Sequence, residues 1–238
     1  MTTLFISDLH LDPSRPGIVE RFDRFLGDVA PGADALYILG DLFEYWVGDD
    51  GLAMPFPASI AKSLAGAASR MPVHFMHGNR DFLVAHAFAE STGIDLIQDP
   101  TIVDLYGTRT VLMHGDTLCT DDVQYQHMRK QMRNPAWQAA VLTKPIAERV
   151  AMAQGMRAQS EATKAGNESE IMDVSATAVE QAFRDCACDV MIHGHTHRPA
   201  RHDYTVDGRN RVRWVLPDWY EAGGYLEASA AGIRAIPA

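Results

Sequence analysis

With 238 residues, 47% hydrophobic and 22% charged, the chain has the size and composition of one globular domain, or of one domain carrying an insertion. A formal charge of −10 argues against general nucleic-acid binding. Three cysteines, Cys119, Cys186 and Cys188, are too few and odd in number for a disulfide framework and point to a reducing compartment, and the Cys-x-Cys pair alone is a weak metal signal.

Met1-Thr2-Thr3 leads straight into an apolar run with no basic stretch before it, so no secretory signal is read. No uncharged apolar stretch approaches the roughly 18 residues of a membrane span; the run from Leu52 to Met76 is broken by Lys62 and Arg70. The expected location is the cytosol or a membrane surface facing it.

The first run, Leu4-Phe5-Ile6, has the pattern of a buried strand and ends directly in Ser7-Asp8-Leu9-His10. Ile18, Val19, Phe22, Phe25, Leu26 and Val29 then form a helical stripe. Leu36 to Leu39 is a second buried run, ending in Gly40-Asp41, and Ala58 to Ser69 is an Ala-rich helix. Val73 to Met76 ends in His77-Gly78-Asn79-Arg80-Asp81, and a helix is expected over Val84 to Ser91. Thr101 to Met113 reads as a hairpin turning at Tyr106-Gly107-Thr108 and running into His114-Gly115-Asp116. Such alternation is the pattern of a layered α/β fold.

From Asp122 to about Asp173 the pattern changes to good helix formers, with breaks at Pro135, Pro145 and Gly155. Between Gln124 and Asn167, Arg129, Lys130, Arg133, Lys144, Arg149, Arg157 and Lys164 stand against only Glu148 and Glu161, a local +5 that leaves −15 for the remainder. This basic helical insertion reads as a solvated face, as a cap over an anionic substrate, or as a patch for anionic lipid headgroups. A helix after Ser175 leads to the fifth run, Val190-Met191-Ile192, which ends in His193-Gly194-His195-Thr196-His197. Arg211 to Leu216 and Gly224 to Ala228 are expected to close the fold as an antiparallel sheet.

In open α/β sheets ligands gather outside the carboxyl ends of strands, so five such ends can converge on one crevice. Asp8, His10, Asp41, Asn79, His114, His195 and His197 form an imidazole, carboxylate and amide-oxygen set without thiolate, suited to Mn²⁺ or Fe²⁺ rather than structural zinc. Seven ligands are too many for one catalytic ion with open positions. They suit two ions about 3.5–4 Å apart sharing a carboxylate, the arrangement of phosphate-ester chemistry. Asp41, the lone ligand of its strand end, is the expected bridge. His86, His127 and His202 read as surface residues, His74 as part of a strand, and His77 and His193 as supports behind the ligands.

In this order, Asp-x-His, Gly-Asp, Gly-Asn-x-Asp, His-Gly-Asp and Gly-His-Thr-His resemble the calcineurin-like metallophosphoesterases. The resemblance implies an α/β fold, a two-sheet β-sandwich flanked by helices with a dinuclear site at strand ends. The chain then divides into a core, residues 1–121 and 174–238, and a helical cap insertion, residues 122–173. Transferred by position, Asp8, His10, Asp41 and His197 hold one ion, and Asp41, Asn79, His114 and His195 hold the other. Many members of that superfamily have a histidine after Gly-Asn, a candidate acid for the leaving oxygen, where this chain has Arg80. Arginine keeps its proton at working pH but can fork onto phosphate oxygens. A phosphate, with a second pKa near about 6, departs as an anion unaided, whereas an alkoxide does not. Arg80 therefore favours a pyrophosphate over a simple alkyl ester.

Longer blocks narrow the resemblance to the UDP-2,3-diacylglucosamine hydrolase family: Thr3–Leu11, Ala35–Glu44, His77–Leu83, Met113–Asp122, Ile171–Val174 and Ile192–Pro199. It implies hydrolysis, with two Mn²⁺ ions, of a UDP-linked diacylated glucosamine to UMP and 2,3-diacylglucosamine 1-phosphate in lipid A biosynthesis. A metal-bridging hydroxide would attack the phosphorus next to uridine. Asp41, Asn79, Arg80 and His114 would be catalytic, and Asn79, Arg80, Asp122, Tyr125, Arg157, Ser160, Lys164, Asn167 and His195 would contact substrate. The implied partners are the lipid substrate and an anionic membrane surface, with no nucleic acid and no obligate protein partner. The implied location is the cytoplasmic face of the inner membrane, peripherally. The alternative is another calcineurin-like phosphodiesterase or nucleotide pyrophosphatase for soluble substrates, which has less use for an apolar-lined cap.

Overall fold

The computed structural model describes residues 1–166 and 173–238, with side chains described outside 160–166. Four parallel strands, β1 (Thr3–Ile6), β2 (Ala35–Leu39), β3 (Val73–Met76) and β4 (Asp95–Ile97), follow one another across the first sheet. Helices α1 (Pro16–Arg24), α2 (Pro55–Ala68) and α3 (His86–Thr92) connect them. The expected stripe over Ile18 to Val29 is α1 prolonged by a π-helical turn, Phe25–Val29, with Ile18, Phe22, Phe25 and Leu26 buried. The three-residue β4 lies too close to the limit of strand length, and begins too polar, to be read from the sequence.

The second sheet holds β5 (Thr101–Leu105), β6 (Thr108–Leu112), β7 (Val190–His193), β8 (Ala200–Val206) and β9 (Arg209–Val215) in the order β5-β6-β7-β9-β8. Its three middle strands are parallel and its outer two antiparallel. β10 (Gly224–Ser229) pairs antiparallel with β1, and β11 (Gly232–Pro237) with β10, extending the first sheet. The two C-terminal runs expected to form one closing sheet therefore separate. β9 lies parallel to β7 in the second sheet, while β10 lies beside β1 in the first. β9 lies between β7 and β8 and β10 between β1 and β11, and Leu216 and Leu226 meet in the same core.

Alternation along each strand sorts side chains between layers. Phe5, Leu39 and Met76 of the first sheet meet Leu112 and Ile192 of the second. Leu4, Ile6, Leu36, Ile38, Val73 and Phe75 turn the other way, against α1 to α3. Val111 and Met191 pack outward against Val179 and Phe183 of α7 (Ala176–Cys186). The result is helix, sheet, sheet, helix, and all of the ligand-bearing loops leave at one end.

Helices α4 (Val123–Met132), α5 (Pro135–Leu142) and α6 (Ile146–Gly166) come between β6 and α7 in chain order. Asp122 caps α4 by accepting from the Tyr125 N–H, and Asn134 followed by Pro135 starts α5. The basic residues here are largely not a solvated face. Arg129 pairs with Asp116, Arg133 donates to the Gly78 carbonyl, Arg149 grips Asp50 and the Val47 carbonyl, and Arg157 pairs with Glu44. The insertion is held to an acidic core by opposite charge.

Phe5 is fully buried between the sheets and stacks on Tyr37 at 5.2 Å. Phe5→Ala is expected to lower the unfolding free energy by about 3–5 kcal/mol, read from urea denaturation of purified protein.

Candidate metal centre

Asp8 and His10 follow β1, Asp41 follows β2 and Asn79 follows β3, while His114 follows β6 and His195 and His197 follow β7. Both sheets thus deliver ligands to one end of the sandwich. Five of the seven hold left-handed backbone: Asp8 (φ 54°), His10 (49°), Asp41 (53°), His195 (68°) and His197 (55°). Non-glycine residues adopt this conformation seldom and at a cost, and it concentrates at functional sites. Here it turns the chain sharply as it leaves each strand, so the side chain points across the end of the sheet. Two glycines let the loops close together. A Cβ on Gly78 would collide with the Asp41 carboxylate and amide, and one on Gly194 with Asp8 and Ser7.

Ligand atoms of Asp8, His10 and His197 lie within 4.8 Å of one another, as do those of Asp8, Asp41 and His114. His10 Nε2 stands 3.3 Å from His197 Nε2 and 3.9 Å from Asp41 Oδ2. Asn79 Oδ1 stands 3.0 Å from His114 Nε2 and 2.9 Å from His195 Nδ1. Atoms sharing an ion at about 2.1 Å are expected to be roughly 3 Å apart. All seven residues expected as ligands are thus gathered in two adjoining groups with Asp41 between them. The His114 Nδ1–H donates to the Leu39 carbonyl at 2.8 Å, which leaves Nε2 facing the site. Asp81 ties the loops together by accepting from the Gly78 N–H at 2.8 Å and the Leu42 N–H at 2.7 Å.

Asp8 and Asp41 are 0% and 2% exposed, yet they sit side by side. Burial raises a carboxyl pKa, and for Asp8 the His197, His114 and His10 imidazoles outweigh it and hold the group well below its usual range. Burial and the neighbouring Asp8 charge raise Asp41 despite His114 and Arg80. His114, which burial alone would lower, is pushed up to about 9 by Asp41, Asp116 and Asp8. Asp8 Oδ1 is buried and faces His197 Nε2 at 3.3 Å and His10 Nε2 at 4.0 Å. The site crowds buried carboxylates, imidazoles and an amide oxygen with their donor atoms aimed inward, which is the chemistry divalent cations satisfy. His77 and His193 point elsewhere, onto the Val84 carbonyl at 2.7 Å and Arg213 at 3.0 Å.

Beside this centre Asn79, Arg80, Tyr125 and Arg157 line a pocket with Trp46, Phe82, Met132, Trp137 and Met156. It encloses about 760 Å³ counting the solvent at its mouth. Arg80 Nε is buried there without a hydrogen-bond partner among the described residues. Asp122 is engaged as a helix cap and does not line this pocket. Ser160 and Lys164 lie on α6, where side chains are outside the described set, and Asn167 lies outside the described residues. Sequence reasoning did not single out Asp116, Arg129 or Glu44 as site residues. Asp116 is fully buried and accepts from the Tyr125 hydroxyl at 2.7 Å and from Arg129 at 2.6 Å, so α4 is anchored two residues from His114. Its place in the His-Gly-Asp motif was the available signal.

Residues 1–199 match the family model of the calcineurin-like phosphoesterases. The chain belongs to this family. Calcineurin-like phosphoesterases are metal-dependent hydrolases, in keeping with the donor set at the strand ends. Within the family the chain is 51% identical to UDP-2,3-diacylglucosamine hydrolase of Xanthomonas campestris pv. campestris, over 98% of this chain and 97% of that protein. It is 52% identical to the protein of that name from Xanthomonas axonopodis pv. citri, with the same coverage. The Stenotrophomonas maltophilia protein of that name is 50% identical over 98% of this chain and 96% of its own length.

Mn²⁺ is expected to raise the melting temperature of the wild-type protein; at a hundredfold excess over Kd the linkage corresponds to about 2.7 kcal/mol. Asp41→Asn should be at least as stable as wild type without metal, because one of two crowded carboxylates is neutralised, and should lose most of the Mn²⁺ response. Thermal melts with chelator and with Mn²⁺ make the comparison.

Proposed function

We propose that this phosphoesterase hydrolyses the pyrophosphate bond of UDP-2,3-diacylglucosamine, releasing UMP and 2,3-diacylglucosamine 1-phosphate in lipid A biosynthesis. The observation that carries the reading is the apolar pocket under α4 to α6, which opens on Asn79 and Arg80 at the edge of the metal centre. A soluble nucleotide has no use for such a lining, whereas an acylated sugar does. Relatives matching nearly the whole chain at about half identity bear the name of this activity.

Two Mn²⁺ ions, one with Asp8, His10, Asp41 and His197 and one with Asp41, Asn79, His114 and His195, would supply Lewis acidity and an acidified water. The chain's own groups do the rest. Arg80 and Arg157 line the pocket beside the metal centre and would bind the phosphate oxygens of the sugar side. Water adds to the phosphorus next to uridine as the bond from that phosphorus to the bridging oxygen breaks, and the sugar phosphate leaves as an anion. No side-chain acid is required for that departure, which suits arginine at position 80. Burial and Asp116 hold the Tyr125 phenol well above its usual range, so it remains a hydrogen-bond donor beside His195, its ring 5.7 Å from the imidazole.

In this reading residues 122–173 form the substrate cap on a core of residues 1–121 and 174–238. The enzyme works peripherally on the cytoplasmic face of the inner membrane, where its diacylated substrate resides. No helix among the described residues is long and apolar enough to cross a membrane. Val123, 72% exposed, and Leu142, 42% exposed, are apolar side chains of the cap available to touch a bilayer.

Purified protein with Mn²⁺ is expected to release UMP from the diacylated substrate far faster than from UDP-glucose, and to leave a simple phosphodiester nearly untouched. Asp41→Ala and His114→Ala should each lower kcat at least about a hundredfold with circular dichroism unchanged. Equal turnover of the three substrates would defeat the substrate assignment, and wild-type turnover in either variant would defeat the metal assignment.

A further inference from the structure

The segment between β9 and β10 is fastened to ligand-bearing loops of both sheets. The Leu216 N–H donates to the His193 carbonyl at 2.7 Å, and the Trp219 N–H donates to the Asp8 carbonyl at 3.1 Å. The Trp219 indole is fully buried, edge-on to Phe22 and Phe25, and Arg21 donates to the Trp219 carbonyl at 3.1 Å. This anchor delivers Tyr220 to the metal centre, although it is not among the residues the sequence pattern places there.

The Tyr220 ring lies nearly parallel (4°) to the His10 imidazole with centroids 5.0 Å apart, in the range of an offset stack. It also stands 5.6 Å from the His197 imidazole, the second histidine of the same ion. The Arg15 guanidinium lies 4.8 Å from the centre of the Tyr220 ring, and Arg15 is itself fixed by Glu44 at 2.9 Å. Asp218 adds to the support, accepting from the Tyr220 N–H at 3.0 Å. Tyr220 is 40% exposed and His10 is 1% exposed, so the phenol ring covers the imidazole rather than being buried by it.

A ligand imidazole must keep its ring plane aimed at the ion, and the usual device is a hydrogen bond from the nitrogen that does not bind. His114 has that device in the Leu39 carbonyl. His10 lacks it. Its Nε2 faces Asp8, Asp41 and His197, while its Nδ1 is buried with no hydrogen-bond partner among the described residues. The plane of His10 is therefore set by what packs on its face.

Resting on the two-ion reading above, we propose that Tyr220 is a positioning residue for the ion held by Asp8, His10, Asp41 and His197, and that it acts by fixing the plane of His10. The two ions then depend on different supports, a stacked ring for one and a backbone carbonyl for the other.

Calorimetric titration with Mn²⁺, checked by the electron paramagnetic resonance of unbound Mn²⁺, counts the ions and gives the affinity of each. Tyr220→Ala is expected to weaken one ion at least tenfold and to leave the other within about threefold, the scale on which a group supporting a ligand acts. Tyr220→Phe, which keeps the ring, should bind both ions like wild type. On a His10→Ala background, Tyr220→Ala should cause no further loss, because the imidazole it orients is gone. Tyr220 belongs to none of the core clusters of buried residues, so the variants should fold, and thermal melts with chelator verify this. Wild-type affinity for both ions in Tyr220→Ala, equal weakening of both, or a full additional loss on the His10→Ala background overturns the assignment while leaving the two-ion reading in place. Fewer than two ions on the wild-type protein overturns that reading and the assignment together.

Discussion

Two carboxylates, Asp8 and Asp41, are buried side by side at the ends of adjacent parallel strands, and the rest of the structure answers that constraint. Isolated buried charge is strongly unfavourable, so it must be neutralised or matched. Imidazoles from both sheets surround the pair, backbone amides of Arg80 and His195 donate to it, and the glycine at positions 78 and 194 lets those amides come close. The left-handed backbone at five ligands belongs to the same answer. Strained turns persist only where their surroundings over-determine them, and here packed strands hold each turn from behind.

The second organising force is charge matching between the insertion and the core. Asp50, Asp116 and Glu44 receive Arg149, Arg129 and Arg157, respectively. Asp50 and Glu44, both in the loop after β2, hold α6 through Arg149 and Arg157, and Asp116 holds α4 through Arg129. Asp116 is the most telling of the three. Its backbone belongs to the loop that starts at His114, and its side chain holds Tyr125 and Arg129 of α4. The position of α4 and the position of the His114 imidazole are thus set by one short loop.

The gathering of the seven expected ligand residues at one end of the sandwich was legible in the sequence because each stands just after an apolar run, and a buried strand has only one place to end. The layered α/β core was legible for the same reason. Three things were not. Strand β4 is a three-residue element without a pattern of its own. The split of the C-terminal runs between sheets depends on which edges are free, and alternation along a strand carries no record of its neighbour. The destination of the basic residues was hidden most deeply, since Glu44 and Arg157 are separated by more than a hundred positions. Local charge balance revealed an excess in the insertion but not that most of it faces inward.

The order in which the chain is made bears on the site through β10. That strand pairs with β1, and just before it the Trp219 N–H donates to the Asp8 carbonyl at 3.1 Å, while the Tyr220 ring stacks on His10 at 5.0 Å. Until residues 219–229 emerge from the ribosome, β1 is an unpaired edge and the loop bearing Asp8 and His10 lacks its backing. The loop bearing Asp8 and His10 is therefore set by residues about two hundred positions further along the chain. Synthesis at about 5–20 residues per second leaves that loop without its backing for many seconds after β1 has been made.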